Sequence, residues 1–251
     1  MSLGQHLIEL RKRLFIAAIA VLLASVAGWF LSEYVLDFMR APVEQVAHSA
    51  GRTAALNYAN VTGAFDLKIQ ISLTVGVVIS SPVWLYQVWA FIVPALVRRE
   101  KVYALGFALA AFPLFLAGCA AGCFIVPHIV EVLTSFIAKQ DTSIIDAKTY
   151  YDFVLKLVLA VGVAFVLPVF LVMLNFLGIV SAVAIIKGWR IAIILIALFT
   201  ALVTPSADVI SMFLLAIPMV FLYLAAAFVS WLHDRAAARR SAALDAELAG
   251  E

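Results

Sequence analysis

Long apolar runs separated by short polar connections dominate the sequence. Six runs are long enough, or nearly so, for an α-helix to cross a bilayer. Their bounds are 15–31, 69–84, 102–126, 153–177, 191–203 and 209–231. The runs lack the polar/apolar alternation of barrel strands, and helices satisfy their backbone polar groups within lipid. The pattern therefore predicts an all-α integral membrane protein with six transmembrane helices.

A short amphipathic segment precedes the first run. At helical spacing, Leu7, Leu10 and Leu14 share one face, and Glu9 lies among cations on the others. We expect this segment to lie along the membrane surface before the chain enters the bilayer. Taken alone, Glu9 is explained by the balance of charge on an exposed face.

Basic residues predict the orientation of the chain. Eleven of the seventeen Lys and Arg residues lie before the first run, after the second, after the fourth and after the sixth. Because short cytoplasmic segments are enriched in these residues, both termini are predicted to be cytoplasmic. Residues 1–235 are predicted to form one membrane domain, and the charged, Ala-rich tail 236–251 to be disordered.

Prolines lie within or beside several runs. Each removes a backbone hydrogen bond and tends to kink its helix, so we expect a bent, concave bundle. Another proline, Pro42, is predicted to begin a short helix in the connection after the first run. The prolines within or beside the runs are Pro82, Pro113, Pro127, Pro168 and Pro218.

Composition removes several classes of function. With 66% hydrophobic and 13% charged residues, the chain is too apolar for a soluble globule. A net charge of +2 gives no reason to expect a nucleic-acid partner. Cys119 and Cys123 lie in an apolar run without other metal ligands, so we expect packing roles and no metal. No catalytic motif or cofactor-binding motif is present, which predicts a non-enzyme without cofactors and leaves a six-span transporter of a small solute as one reading.

Three segments resemble one family. They read HLIELRKRL at 6–14, SSPVWLYQVWAFIVPALVRREK at 80–101, and TP-x-x-D at 204–208 followed by LLAIPM at 214–219. In this order they are similar to TatC, the large subunit of the twin-arginine protein translocase. The resemblance implies a prokaryotic cytoplasmic-membrane receptor and scaffold that binds Arg-Arg signal peptides of folded proteins. It also implies export driven by the protonmotive force, assembly into hetero- and homo-oligomers, and the single-span partners TatA and TatB.

The resemblance also implies site residues. Glu9 and Glu100 match the carboxylates that bind the signal peptide, and a guanidinium suits this role because it forms bidentate, charge-assisted bonds that lysine does not copy. Arg11, Phe91 and Pro94 match positions that shape the same surface, although Phe91 and Pro94 are also explained as interfacial anchors. Two outer positions tied to function and assembly are matched by Pro42 and Asp208.

Two positions depart from the family pattern. Val166 stands where the family commonly has a glutamate, and Met212 stands where a glutamine is usual. Both changes remove polar groups from the predicted concave face. We therefore expect any translocation step that uses a buried carboxylate to be altered here or supplied by a partner, and Val166→Glu to be tolerated by an active complex.

Overall fold

The computed structural model describes residues 3–49, 55–57, 62–92, 98–135, 144–204 and 209–249. It contains eight helices and two short strands within those ranges. In chain order they are α1 (Leu3–Ser49), β1 (Ala55–Asn57), α2 (Gly63–Ile79), α3 (Ser81–Ile92), α4 (Arg98–Ser135), β2 (Ile144–Asp146), α5 (Ala147–Phe176), α6 (Ala182–Lys187), α7 (Trp189–Val203) and α8 (Val209–Ala249).

The helices confirm the prediction of a helical, multi-pass membrane protein. Four of them, α1, α4, α5 and α8, are long and apolar enough to cross a membrane. Helices α2 and α3 pass the same test only as a pair, bent by 61° at Ser80. Helix α7 has 15 residues and is about 22 Å long, which is less than the ~30 Å hydrocarbon core.

Helix α1 corrects two expectations. The amphipathic segment is not a separate surface helix, because α1 runs unbroken from Leu3 to Ser49. Pro42 lies within α1 and does not begin a new helix. The sequence has no glycine or proline where the amphipathic segment meets the apolar run at Leu14 and Phe15, so the helix continues without a break.

Two other boundaries differ from the sequence prediction. The predicted span 69–84 is divided at Ser80, with Pro82 in the first turn of α3, a position where proline is tolerated. The last helix continues to Ala249, whereas the sequence predicted a disordered tail from residue 236. Alanine is the strongest helix former, which accounts for continuation through the Ala-rich tail.

The two long connections meet in a parallel pair of three-residue strands, an element that the sequence pattern did not predict. Ala55, Leu56 and Asn57 pair with Ile144, Ile145 and Asp146. Asp146 then caps α5 by accepting hydrogen bonds from the hydroxyl (2.6 Å) and the amide (2.9 Å) of Thr149. These bonds hold the pKa of the Asp146 carboxyl below its usual value.

Close helix pairs build the core. Gly118 and Gly122 of α4 form a G-x-x-x-G sequence against α5, and a Cβ on Gly118 would lie 2.8 Å from both Gly162 Cα and Val161 O. Helices without large side chains at the contact approach closely in lipid, where packing replaces the hydrophobic effect. The pair α1–α2 uses the same device, since a Cβ on Gly28 would overlap the Ser72 carbonyl oxygen.

Several hydroxyl side chains within the helices are satisfied locally. The hydroxyl groups of Ser25, Ser72 and Thr200 donate to carbonyl oxygens of their own helices at 2.6–3.1 Å. Such bonds remove the cost of placing a hydroxyl in lipid. These residues therefore stabilise the bundle and do not form a polar path through it.

Candidate functional site

The start of α1 packs against the end of α3. The rings of His6 and Phe91 stack with centroids 4.5 Å apart, and Arg13 Nη1 donates to Gln87 Oε1 at 3.5 Å. The structure thus brings together two of the three segments that carried the sequence resemblance. The bend at Ser80 matters here because it changes the direction of α3, the helix that carries Gln87 and Phe91.

Glu9 lies at this junction and is paired within α1. Arg13 donates to Glu9 Oε1 through both Nε (3.0 Å) and Nη2 (2.6 Å). The side chain of Glu9 is 22% exposed and that of Arg13 is 24% exposed, so the pair is half-buried. A carboxylate four residues before an arginine is the favourable order for such a pair on a helix. In the structure, the charge of Glu9 is therefore balanced by a cation of its own helix.

Only one oxygen of Glu9 is occupied by Arg13. Both guanidinium nitrogens go to Oε1, and no described residue donates to Oε2. Arg11 and Lys12 are exposed on other faces of the helix, and neither forms an ion pair within the described residues. The junction therefore combines the half-buried carboxylate of Glu9, the guanidinium of Arg13 that pairs with it, and two exposed cations.

Of the other residues predicted to form the signal-peptide surface, the structure describes some and not others. Phe91 is half-buried. Pro94 lies outside the described residues. Glu100 belongs to the first turn of α4, and its side chain also lies outside them. Among the predicted residues of this surface whose side chains are described, the structure brings Glu9 and Phe91 to the α1–α3 junction.

The residues predicted from outer-side positions are not joined to this junction by any described contact. Pro42 is within α1, its side chain lies outside the described residues, and so does the whole of Asp208. Met212 is half-buried in the first turn of α8.

Val166 of α5 packs near α3. It is half-buried on α5 and packs against the cluster that contains Leu85 and Trp89 of α3. The Nε1 of Trp89 is buried without an acceptor among the described residues. Valine at this position therefore belongs to the apolar packing between α5 and α3.

A polar cluster at the C-terminal end of α5 was missed by sequence reasoning. Asp234 of α8 accepts from Asn175 Nδ2 (2.9 Å) and from the amide of Ala182 (2.8 Å), and Asn175 Nδ2 also donates to Val180 O (3.0 Å). These bonds join the end of α5, the start of α6 and α8. Residues 59 positions apart in the chain offer no local pattern from which this contact could be found.

The described residues also bear on the expectations for metal ligands and cysteines. No group of three or more His, Cys, Asp or Glu side chains there could hold a metal ion. Cys119 and Cys123 are free thiols within α4. The expected packing role of Cys119 agrees with its position, since a Cβ on Gly162 would lie 2.6 Å from its sulfur.

Comparison with known proteins agrees with the motifs. Residues 5–218 match the family of the Sec-independent protein translocase protein (TatC). The TatC protein of Xylanimonas cellulosilytica is 42% identical over 242 residues, which cover 96% of this chain and 88% of the relative. The TatCy protein of Bacillus subtilis is 32% identical over 247 residues, covering 97% and 94%.

Two solved structures share the fold. A crystal structure of the twin-arginine translocase receptor TatC has a TM-score of 0.72 and 33% identity, and covers 90% of this chain and 98% of that one. A second, of the same receptor in DDM, has a TM-score of 0.76 and 32% identity over 90% and 99% of the two chains. Sequence motifs, family match and fold lead to the same conclusion: this chain belongs to the TatC family of Sec-independent protein translocase proteins.

Proposed function

We propose that the protein is the receptor and scaffold subunit of a twin-arginine translocase, and that it binds Arg-Arg signal peptides at the α1–α3 junction through Glu9 and Glu100. The observation that carries the proposal is the pair of Glu9 with Arg13. This carboxylate already holds a guanidinium by charge-assisted bonds of 2.6 and 3.0 Å. A site that accommodates its own arginine has the chemistry to accommodate a guest arginine.

Arg13 leaves room for exchange. A guest guanidinium can approach the unoccupied Oε2, or it can replace Arg13 at Oε1. Partly exposed i,i+4 ion pairs contribute about 0.3–1 kcal/mol, so replacing one costs little compared with the gain from two carboxylates. Lysine would bind less well, because its ammonium is a compact point charge without the planar fork.

The rest of the surface suits an extended peptide. The stacked rings of His6 and Phe91 provide an apolar contact beside the carboxylate. Arg11 lies two positions from Glu9 and is exposed, and we assign it a role in shaping the same surface. We assign Pro94 a role in shaping the same surface, and Glu100 the role of second carboxylate.

The proposed setting is the cytoplasmic membrane of a prokaryote. Counting the bent α2–α3 pair as one span and the short α7 as another gives six spans with both termini cytoplasmic, within one domain of residues 1–235. The distribution of Lys and Arg supports this orientation. A span as short as α7 would require local thinning of the bilayer.

The proposed partners are folded cargo proteins with Arg-Arg signal peptides and the single-span subunits TatA and TatB, with export driven by the protonmotive force. The protein would act without catalysis, in a complex that contains more than one copy. Pro42 and Asp208 are proposed to serve assembly on the outer side. Because Val166 and Met212 are apolar, any translocation step that uses a buried polar group would be supplied by another subunit of that complex.

Peptide binding tests the proposal directly. The full-length protein in nanodiscs is titrated with a fluorescent Arg-Arg signal peptide and with its Lys-Lys variant. We expect Glu9→Gln and Glu100→Gln each to weaken binding of the Arg-Arg peptide about tenfold or more, since charge-assisted bonds to arginine contribute about 1.5–3 kcal/mol.

Glu33→Gln is the matched control. Glu33 lies on the same helix and also pairs with a cation, Lys68, at 3.0 Å. Its substitution should leave peptide affinity unchanged. Wild-type affinity in the Glu9→Gln/Glu100→Gln double variant would refute the proposed binding role, and solute uptake by the protein alone would favour a transporter.

A further inference from the structure

A deep apolar groove lies between α5, α6, α7 and α8. Its volume is about 430 Å³, and its walls include Leu167 and Leu171 of α5, Ile191 and Leu195 of α7, and Met219 of α8. Tyr223 contributes the one side-chain hydroxyl of the lining, and that hydroxyl donates to Ile185 O. The groove therefore offers no unsatisfied side-chain polar group to a ligand and suits a hydrocarbon chain.

Two cations adjoin a lining residue of this groove in the chain. Lys187 ends α6 and Arg190 lies in the first turn of α7, on either side of Gly188, which lines the groove. Both side chains are exposed, and neither forms an ion pair within the described residues. The Arg190 guanidinium lies 5.6 Å from the ring centre of Trp189, a residue type that favours the headgroup level of a membrane.

The carboxylate that is bound to the start of α6 is already used. Asp234 accepts from Asn175 and from the amide of Ala182 at the start of α6. Lys187 and Arg190 therefore carry positive charge at the groove that the described part of the protein does not neutralise.

Two other grooves lack this combination. The groove between α1 and α2, of about 330 Å³, has Lys68 near Trp29, but Lys68 pairs with Glu33 at 3.0 Å. The groove between α4 and α8, of about 400 Å³, is lined by apolar residues such as Phe124 and Pro218. Among these three grooves, the α5–α8 groove joins an apolar interior to uncompensated cations.

We propose that the α5–α8 groove is a binding site for one anionic phospholipid. An acyl chain lies along Leu171 and Leu195, and the headgroup phosphate contacts Lys187 and Arg190 beside Trp189. Basic pockets between membrane helices are suited to such headgroups. The proposal rests on the membrane setting and does not depend on the binding of a signal peptide.

Native mass spectrometry of the full-length protein tests this site. The delipidated protein in detergent is titrated with phosphatidylglycerol and with phosphatidylcholine of the same acyl chains. We expect one phosphatidylglycerol to be retained in preference to phosphatidylcholine. Lys187→Gln/Arg190→Gln should weaken its binding roughly thirtyfold, while Arg239→Gln/Arg240→Gln on the distal part of α8 should leave it unchanged.

A second variant examines the apolar part of the site. Ala184 is exposed and lines the groove, so Ala184→Phe should obstruct part of it without disturbing the buried core and should also weaken lipid binding. A photo-crosslinking residue at position 195 in native membranes should label lipid.

Three results would overturn the proposal. These are equal retention of both lipids, unchanged binding in the Lys187→Gln/Arg190→Gln variant, or crosslinks from position 195 to a polypeptide. The last would identify a partner helix as the occupant. Because no signal peptide enters these measurements, failure here leaves the proposed receptor function separately testable.

Discussion

Helices α5 and α7 are both apolar, yet they contribute to the protein in opposite ways. Half of the residues of α5 are buried, and it contacts α2, α4 and α8. In α7 only Thr200 is buried, while Ile191, Ile194 and Leu198 are exposed. Hydropathy alone does not separate a central scaffold helix from one that faces lipid or a ligand; packing partners do.

The start of α1 resembles α7 in having few buried side chains. Both present exposed apolar and cationic side chains beside a more closely packed element, and both carry a proposed binding surface. Scaffold positions that do not line the α5–α8 groove can therefore be changed without altering these surfaces, and exposed positions of the surfaces can be changed without loss of the fold.

The largest expected effect is at the α4–α5 contact. Gly118→Leu should destabilise the protein by about 3 kcal/mol, the upper end of the usual cost of overpacking, because its Cβ would press on the backbone at Val161 and Gly162. Gly106→Leu on the same helix is the control, since no heavy atom would lie within 4 Å of its Cβ. Thermal unfolding in detergent measures both, and equal losses would contradict the close contact.

A matched pair of leucines compares α5 with α7 directly. Leu157 of α5 is 1% exposed and Leu198 of α7 is 55% exposed. Leu157→Ala should cost about 2–4 kcal/mol through lost packing, and Leu198→Ala less than about 0.5 kcal/mol. Similar losses of unfolding free energy would mean that α7 is packed as tightly as α5.

The link between α5 and α8 should have an intermediate effect. Asp234→Ala removes the acceptor of the Ala182 amide and one of the two acceptors of Asn175 Nδ2, and should cost about 2 kcal/mol. Asp37→Ala is the control, because Asp37 is 76% exposed and its contact with Arg40 is long at 3.7 Å. The same melting temperature for both variants would show that the cluster does not stabilise the fold.

The smallest expected effect concerns the α1 surface. Arg13→Gln removes the competitor for Glu9 and should raise affinity for an Arg-Arg peptide about twofold to fivefold. Arg40→Gln, which removes an arginine farther along α1, should have no effect. A lower affinity in Arg13→Gln would instead mean that Arg13 holds Glu9 in position for the guest.

The sequence predicted the apolar centres of the helices better than their ends. The predicted spans 102–126, 153–177 and 209–231 lie almost wholly within α4, α5 and α8. Polar extensions escaped prediction because hydropathy does not register a helix that continues into water. The break at Ser80 escaped it because apolar character continues on both sides.

For the candidate site, the resemblance pointed to Glu9 and Phe91, but their surroundings required the structure. Arg13 could have been found from its i,i+4 spacing with Glu9. The contact of Arg13 with Gln87 could not, because it joins residues 74 positions apart. The Asp234 cluster was hidden for the same reason, since long-range hydrogen bonds leave no periodic pattern in the sequence.

A double-mutant cycle between Glu9 and the arginines of the peptide is the most direct measurement of the central claim. Affinities are measured for the wild type and Glu9→Gln, each with Arg-Arg, Lys-Arg and Arg-Lys peptides. The account predicts that one of the two lysine substitutions weakens binding to the wild type about tenfold and has little further effect in Glu9→Gln. If both substitutions weaken the two proteins equally, Glu9 does not recognise a signal arginine and the account is wrong.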